Sequence, residues 1–213
     1  MDLYFSPMAC SLASRIAVYE SKAEADVRFI EVDPKTKRTL EGENYLEIYP
    51  LGLVPLLRLD DGSLISENAA VLQYLAARYP KSELLPSDSV ELARLQQWLC
   101  FIGTELHKAL FIPLFDQKAP EGTRAHVLKK QERCLAYLDR HLTDRAFLLD
   151  RFTVADAYLF TVLNWTAPTA VDLGRWPAIE TYHKGMRTRP NVERAVQFEF
   201  ARYKAELARG QTA

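Results

Sequence analysis

Cysteine is scarce in this 213-residue chain, which has only Cys10, Cys100 and Cys134. An odd count at wide spacing excludes a disulfide framework and offers no zinc-binding pair, so a reducing, cytoplasmic setting is expected. The four histidines, His107, His126, His141 and His183, are too scattered to suggest a metal cluster. A surplus of either charge is also missing. The net charge of −1 gives no electrostatic reason to expect nucleic acid or an anionic membrane as a partner. No window supplies the ~20 apolar residues that cross a bilayer. The opening MDLYFSPMAC lacks the basic region and long apolar run of a signal peptide. Internal repeats and low-complexity tracts are absent. What is present, 48% hydrophobic and 26% charged residues, is the balance of a soluble globular protein with one large or two small domains.

The first eighty residues alternate between strand and helix signals. Leu3, Tyr4 and Phe5 form a short apolar strand, and a helical apolar pattern runs from about Ser11 to Ser21. Residues 27–32, rich in β-branched and aromatic side chains, predict a second strand parallel to the first. Two further strands flank Asp60, Asp61 and Gly62, a strong hairpin signal. A helix follows with Ser66 as expected N-cap, stopping before Pro80. The polar segment 33–49 gives only an uncertain helix. Residues 81–87 read as a linker, and beyond it strand signals nearly vanish. Helices are expected over 88–118, 122–142, 153–164, 176–188 and 191–209. The expected organisation is an α/β domain over 1–80 and an all-α domain over 88–213.

Several residues carry chemistry or capping in this frame. Cys10 stands between the first strand and the first helix, where free N–H groups and the helix dipole favour a thiolate. A buried, inert cysteine is the alternative. Tyr4 belongs to a strand, where core packing explains it. Glu67 and Asn68 open a helix, and their residue types suit either an anion or simple capping. Thr153 and Asp156 have capping-box spacing, which is a folding device.

The element order, with residues 9–14 (ACSLAS), 53–55 (LVP), 66–68 (SEN), 104–108 (TELHK) and 152–163 (FTVADAYLFTVL), resembles the glutathione transferase superfamily from end to end, and within it the bacterial beta class. The resemblance implies a thioredoxin-like N-terminal domain that binds glutathione beside Cys10, with Ser11 as the alternative hydroxyl for the sulfur. It implies a cis Val54–Pro55 bond whose preceding residue pairs with the cysteinyl part of glutathione; on its own, Pro55 reads as an ordinary strand-edge proline. Glu67 and Asn68 would hold the γ-glutamyl end, and Lys37 the glycyl carboxylate. Lys35 is the alternative there, because residues 21–32 carry two extra positions. In the helical domain, His107 would face the glutathione sulfur as donor or base. Thr104, Glu105 and Lys108 join the glutathione set, the last two reaching into a neighbouring subunit. Phe111 and Trp165 would line the electrophile pocket.

The implied protein is a cytoplasmic, homodimeric detoxification enzyme with glutathione as co-substrate, no metal, and a small-molecule electrophile. Cysteine in the place of a catalytic tyrosine or serine also implies thiol–disulfide exchange or peroxidase side activity. Two departures stand out: Asn68 where relatives often carry serine or glycine, and Cys100 where they often carry asparagine. The rival readings are a specialised glutathione-dependent reductive enzyme (dehalogenase, isomerase or etherase) and a non-catalytic glutathione-binding protein.

Overall fold

The computed structural model of the chain describes residues 1–169 and 171–211. Its contacts divide it into two units, Met1–Leu84 with Pro190–Ala213, and Leu85–Arg189.

The first unit is built on a four-stranded sheet. Strand β1 (Asp2–Phe5) pairs in parallel with β2 (Arg28–Glu31) and antiparallel with β3 (Leu56–Arg58), which pairs in turn with β4 (Leu64–Ser66). The parallel β1–β2 pair and the hairpin are those expected from sequence, and Gly62, at φ 85°, gives the hairpin its left-handed residue. Every side chain of β1 after Asp2 is buried, so both faces of the sheet are covered. On one face Tyr4, Ile30 and Leu56, adjacent in register, pack with Val32 and Tyr45. Tyr45 comes from α2 (Tyr45–Ile48), a single turn capped by Asn44 and all that the uncertain segment 33–49 contributes in helix. Helices α1 (Leu12–Glu20) and α3 (Asn68–Arg78) complete the expected order. Ser66 is not the N-cap of α3. It ends β4, and Glu67 takes that position with no side-chain cap.

The last helix, α10 (Pro190–Gln211), lies in the expected 88–213 segment but groups by its contacts with the first unit. It packs against α1 and belongs to the first unit. Composition marks it only as a helix; its place is set by an ion pair with a partner 184 residues away. Arg15 is 2% exposed, and its Nε donates to Glu199 Oε1 at 2.9 Å. The guanidinium lies 3.8 Å from the Phe29 ring, 4.4 Å from Phe198 and 4.5 Å from Phe5. Residues 170, 212 and 213 of the expected second domain lie outside the described residues.

The second unit is helical. Asp88 caps α4 (Ser89–Phe101), its Oδ1 accepting from the N–H groups of Val90 and Glu91. The same rod continues through Ile102–Phe111, wound as a π-helix, into α5 (Ile112–Phe115). Pro113, which has no N–H to offer the preceding turn, is the second residue beyond the wide segment. Contrary to the sequence reading, this rod of 27 residues is long and apolar enough to cross a membrane. Leu95, Trp98, Leu99, Ile102, Leu106, Leu110 and Phe111 are nevertheless buried, and the rod packs against α6 (Thr123–Leu142) and α7 (Val154–Leu163). Within α7 every residue is buried. Helices α8 (Thr166–Thr169) and α9 (Pro177–Arg187) follow.

The Thr153–Asp156 capping box is formed. Asp156 is fully buried, and its carboxylate accepts from the N–H groups of Thr153 (2.9 Å) and Leu148 (2.8 Å) and from Tyr182 Oη (3.0 Å). Replacing it by alanine strands those donors, so Asp156→Ala should destabilise the protein by about 3 kcal/mol in urea unfolding, and Asp156→Asn by about 1 kcal/mol. Equal midpoints for the two variants would contradict this. In the first unit, Arg15→Met should cost about 3–5 kcal/mol because it leaves the Glu199 carboxylate buried and unpaired. Adding Glu199→Gln should recover most of that loss, which separates the uncompensated charge from lost packing.

Candidate functional site

In the first unit the loop between β1 and α1 positions Cys10. Met8 has a left-handed backbone (φ 60°), and its N–H donates to Glu199 Oε2 at 2.9 Å, so the buried carboxylate that pairs with Arg15 also holds this turn. Cys10 sits two residues before α1, 9% exposed, and its Sγ donates to the carbonyl of Val54 at 3.1 Å. Val54–Pro55 is a cis bond, as the resemblance implied. Structure therefore brings together two segments that sequence places 44 residues apart.

The other candidate hydroxyls nearby are buried. Ser11 is fully buried and its Oγ accepts from Ser6 N and donates to Ser6 O, closing the turn. Tyr4 is buried in the sheet against Tyr45, ring centroids 5.3 Å apart. That core placement agrees with the sequence reading of Tyr4.

Glu67 precedes α3 with φ 66° and ψ 124°, a conformation that costs a non-glycine residue of the order of 1–3 kcal/mol. It holds the chain so that Asn68 opens the helix. Asn68 is 5% exposed; its Oδ1 accepts from Ser14 Oγ at 3.4 Å, while its Nδ2 is buried with no hydrogen-bond partner. A buried amide donor at a helix N-terminus is matched to an anionic acceptor. The Glu67 side chain is exposed. Lys37 has a left-handed backbone and directs Nζ to the carbonyl of Gly52 at 2.9 Å, next to the 53–55 segment, whereas Lys35 is exposed. Tyr45 Oη donates to the carbonyl of Leu53 at 2.7 Å and fixes that segment from below.

In the second unit His107 lies within the π-helical segment, 7% exposed. Its Nδ1 is 2.7 Å from Tyr158 Oη on α7. Burial, aided by the neighbouring Lys108 charge, pushes its pKa down to about 4, so the ring is neutral at physiological pH. The Trp165 ring lies edge-on to His107 at 4.9 Å, and Phe111 and Phe115 each lie 5.7 Å from Trp165. Phe115 is 42% exposed, so one side of this aromatic cluster faces solvent. Sequence reading assigned Tyr158 to the core. It is buried as expected, but its hydroxyl also engages His107. A tyrosine among the apolar residues of α7 gave no signal of a partner 51 residues away.

Glu105, Thr104 and Lys108 do not converge on His107. Thr104 Oγ1 donates to the Cys100 carbonyl (3.0 Å) and to Glu105 Oε1 (3.2 Å). Glu105 Oε2 lies 3.7 Å from Cys134 Sγ, and Lys108 is exposed. The Cys134 thiol is pushed up by burial and by Glu105. Cys100 is exposed. Among the described residues no group of three or more His, Cys, Asp or Glu side chains is arranged to hold a metal.

Comparison with known proteins places these features in a family. Residues 4–83 match the N-terminal domain and 121–185 the C-terminal domain of glutathione S-transferase. Glutathione S-transferase GstA of Escherichia coli O157:H7 is 40% identical over 201 residues, covering 93% of this chain and 98% of that protein. Glutathione S-transferase GST-4.5 of Xanthomonas campestris is 32% identical over 208 residues, with 93% and 98% covered. Among solved structures, the ternary complex of BphK, a bacterial enzyme of this family, superposes with TM-score 0.89 at 39% identity, covering 93% and 99%. A bacterial beta-class member from Sphingomonas chungbukensis superposes with TM-score 0.87 at 36% identity, covering 93% and 98%. With both family domains matched and close relatives covered nearly end to end, the chain belongs to the glutathione S-transferase family.

Proposed function

We propose that the first unit binds glutathione and that the protein activates its thiol for attack on electrophilic small molecules. The observation that carries this reading is the meeting of Cys10 with the Val54 carbonyl at the head of α1, together with the buried Nδ2 of Asn68 at the head of α3, which has no hydrogen-bond partner. Two helix N-termini and a main-chain edge suit a peptide with a carboxylate at one end and a thiol near its middle. A sphingomonad glutathione S-transferase solved in complex with glutathione is 38% identical to this chain, which supports the same ligand. Lys37 is assigned to the glycyl carboxylate, Val54 and Pro55 to the cysteinyl backbone, Glu67 and Asn68 to the γ-glutamyl group, and Ser11 to the turn beside the sulfur. Thr104, Glu105, His107 and Lys108 enter on the family resemblance. The cluster of Phe111 and Trp165 suits an apolar or aromatic electrophile. The resemblance also supports a cytoplasmic homodimer.

A second activity is favoured by Cys10 itself. With the Ser11 hydroxyl tied to Ser6 and Tyr4 buried, the group offered at this turn is a thiol. Its thiolate attacks the glutathionyl sulfur of a mixed disulfide, forming a Cys10–glutathione disulfide and expelling the other thiolate, which takes a proton from water. A second glutathione thiolate then attacks the glutathionyl sulfur, releasing oxidised glutathione and regenerating the Cys10 thiolate.

The protein should bind immobilised glutathione and elute with free ligand. Asn68→Ala should raise KM for glutathione about tenfold, the effect of removing one buried donor to a charged group. Cys10→Ala should abolish reduction of a glutathione mixed disulfide while retaining conjugation of a chlorinated aromatic within about tenfold. Because His107 is already neutral above pH 6, His107→Ala should lower the rate without removing an inflection between pH 6 and 8. Failure to bind glutathione would leave the fold as a scaffold. Binding without turnover of either substrate would favour a specialised reductive enzyme or a non-catalytic binder.

A further inference from the structure

A histidine can meet a sulfur as donor or as proton acceptor, and which it does depends on the nitrogen that carries its proton. For His107 that choice is made by α7. Tyr158 Oη lies 2.7 Å from Nδ1, with the two rings nearly perpendicular at 86° and their centroids 5.9 Å apart. Tyr158 is 3% exposed and His107 7%, so solvent competes little for this bond. Of the two possible directions, phenol to imidazole is the stronger. A phenol is a far better acid than a neutral imidazole N–H, and an imidazole nitrogen is a far better base than a phenol oxygen. The Tyr158 hydroxyl therefore donates to Nδ1, and the single proton of the neutral ring resides on Nε2. The ring is further held by Trp165, and α7 is buried along its whole length, so the hydroxyl approaches from a fixed direction.

We propose that Tyr158 is a positioning residue that holds His107 in its Nε2–H tautomer, making His107 a hydrogen-bond donor to sulfur and not a general base. This rests on the role of His107 in glutathione activation proposed above. In that tautomer Nε2 has no lone pair with which to take a thiol proton. The proton released on thiolate formation must leave by another route, such as bulk water, while Nε2–H stabilises the anion that remains.

Long-range nitrogen-15 correlation spectra of the uniformly labelled protein test this directly. Signals of His107 are assigned by their loss in His107→Ala. In the wild-type protein at neutral pH, His107 should show a protonated Nε2 and a bare, hydrogen-bonded Nδ1. In Tyr158→Phe, which keeps the ring and its packing, the Nδ1 signal should shift and both tautomers should become populated. The same variant should lose about tenfold in kcat with KM for glutathione changed less than about twofold, a split that general loosening of the fold would not produce. A proton found on Nδ1 in the wild-type protein would overturn the proposal, whether or not the variant folds. So would a Tyr158→Phe protein with wild-type tautomer and wild-type kcat. If His107→Ala itself turns over at the wild-type rate while the tautomer is as expected, the catalytic role of His107 falls, and Tyr158 retains only its hold on the ring.

Discussion

Much of the first unit hangs on one carboxylate. Glu199, wholly buried on α10, pairs through one oxygen with Arg15 and through the other accepts the Met8 N–H. Either partner alone would leave a costly buried ion; together they give each oxygen a donor. Three consequences follow from that single group. The C-terminal helix is fastened to α1. The guanidinium of Arg15 is held over the rings of Phe5, Phe29 and Phe198. The turn that carries Cys10 is held by its main chain, so the thiol's position depends on a residue nearly two hundred positions away.

The secondary structure was largely legible because its signals are local. The hairpin declares itself in Asp60, Asp61 and Gly62, the start of α4 in Asp88, and the start of α7 in Thr153 and Asp156, each acting within three residues of itself. Cys10 was also legible, since strand, turn and helix surround it in sequence. What could not be read depends on distance. The assignment of α10 to the first unit needs the Arg15–Glu199 pair, and neither residue differs in sequence from the many surface charges around it. The π-helical winding of Ile102–Phe111 changes which residues share a face, and no pattern of apolar spacing records it. Ser66 failed as a cap for a related reason. Strand β4 claims it, and the helix begins one residue later behind the strained Glu67.

The candidates for oxygen or sulfur chemistry differ in burial and hydrogen bonding as much as in residue type. Sequence offered three candidates near the first turn, Tyr4, Cys10 and Ser11. Tyr4 is buried in the sheet with its hydroxyl unpaired, and Ser11 both donates to and accepts from Ser6. The Cys10 thiol donates to the Val54 carbonyl, and S–H is a poor donor. A weak bond is readily exchanged for a ligand's.

The same reasoning applies to His107. Its burial makes protonation expensive, so it remains neutral where a solvent-exposed histidine would be partly charged. An imidazolium would stabilise a nearby thiolate more strongly, but maintaining that charge in an aromatic surround would oppose folding. A neutral ring with a fixed tautomer stabilises sulfur less per contact and needs no proton of its own. On the role proposed for His107, the Tyr158 hydroxyl supplies the fixing, because a neutral ring left free to exchange tautomers would present a lone pair part of the time where a donor is needed. Neutrality and tautomer are thus coupled requirements. Burial meets the first, and a single hydroxyl on the most deeply buried helix of the second unit meets the other.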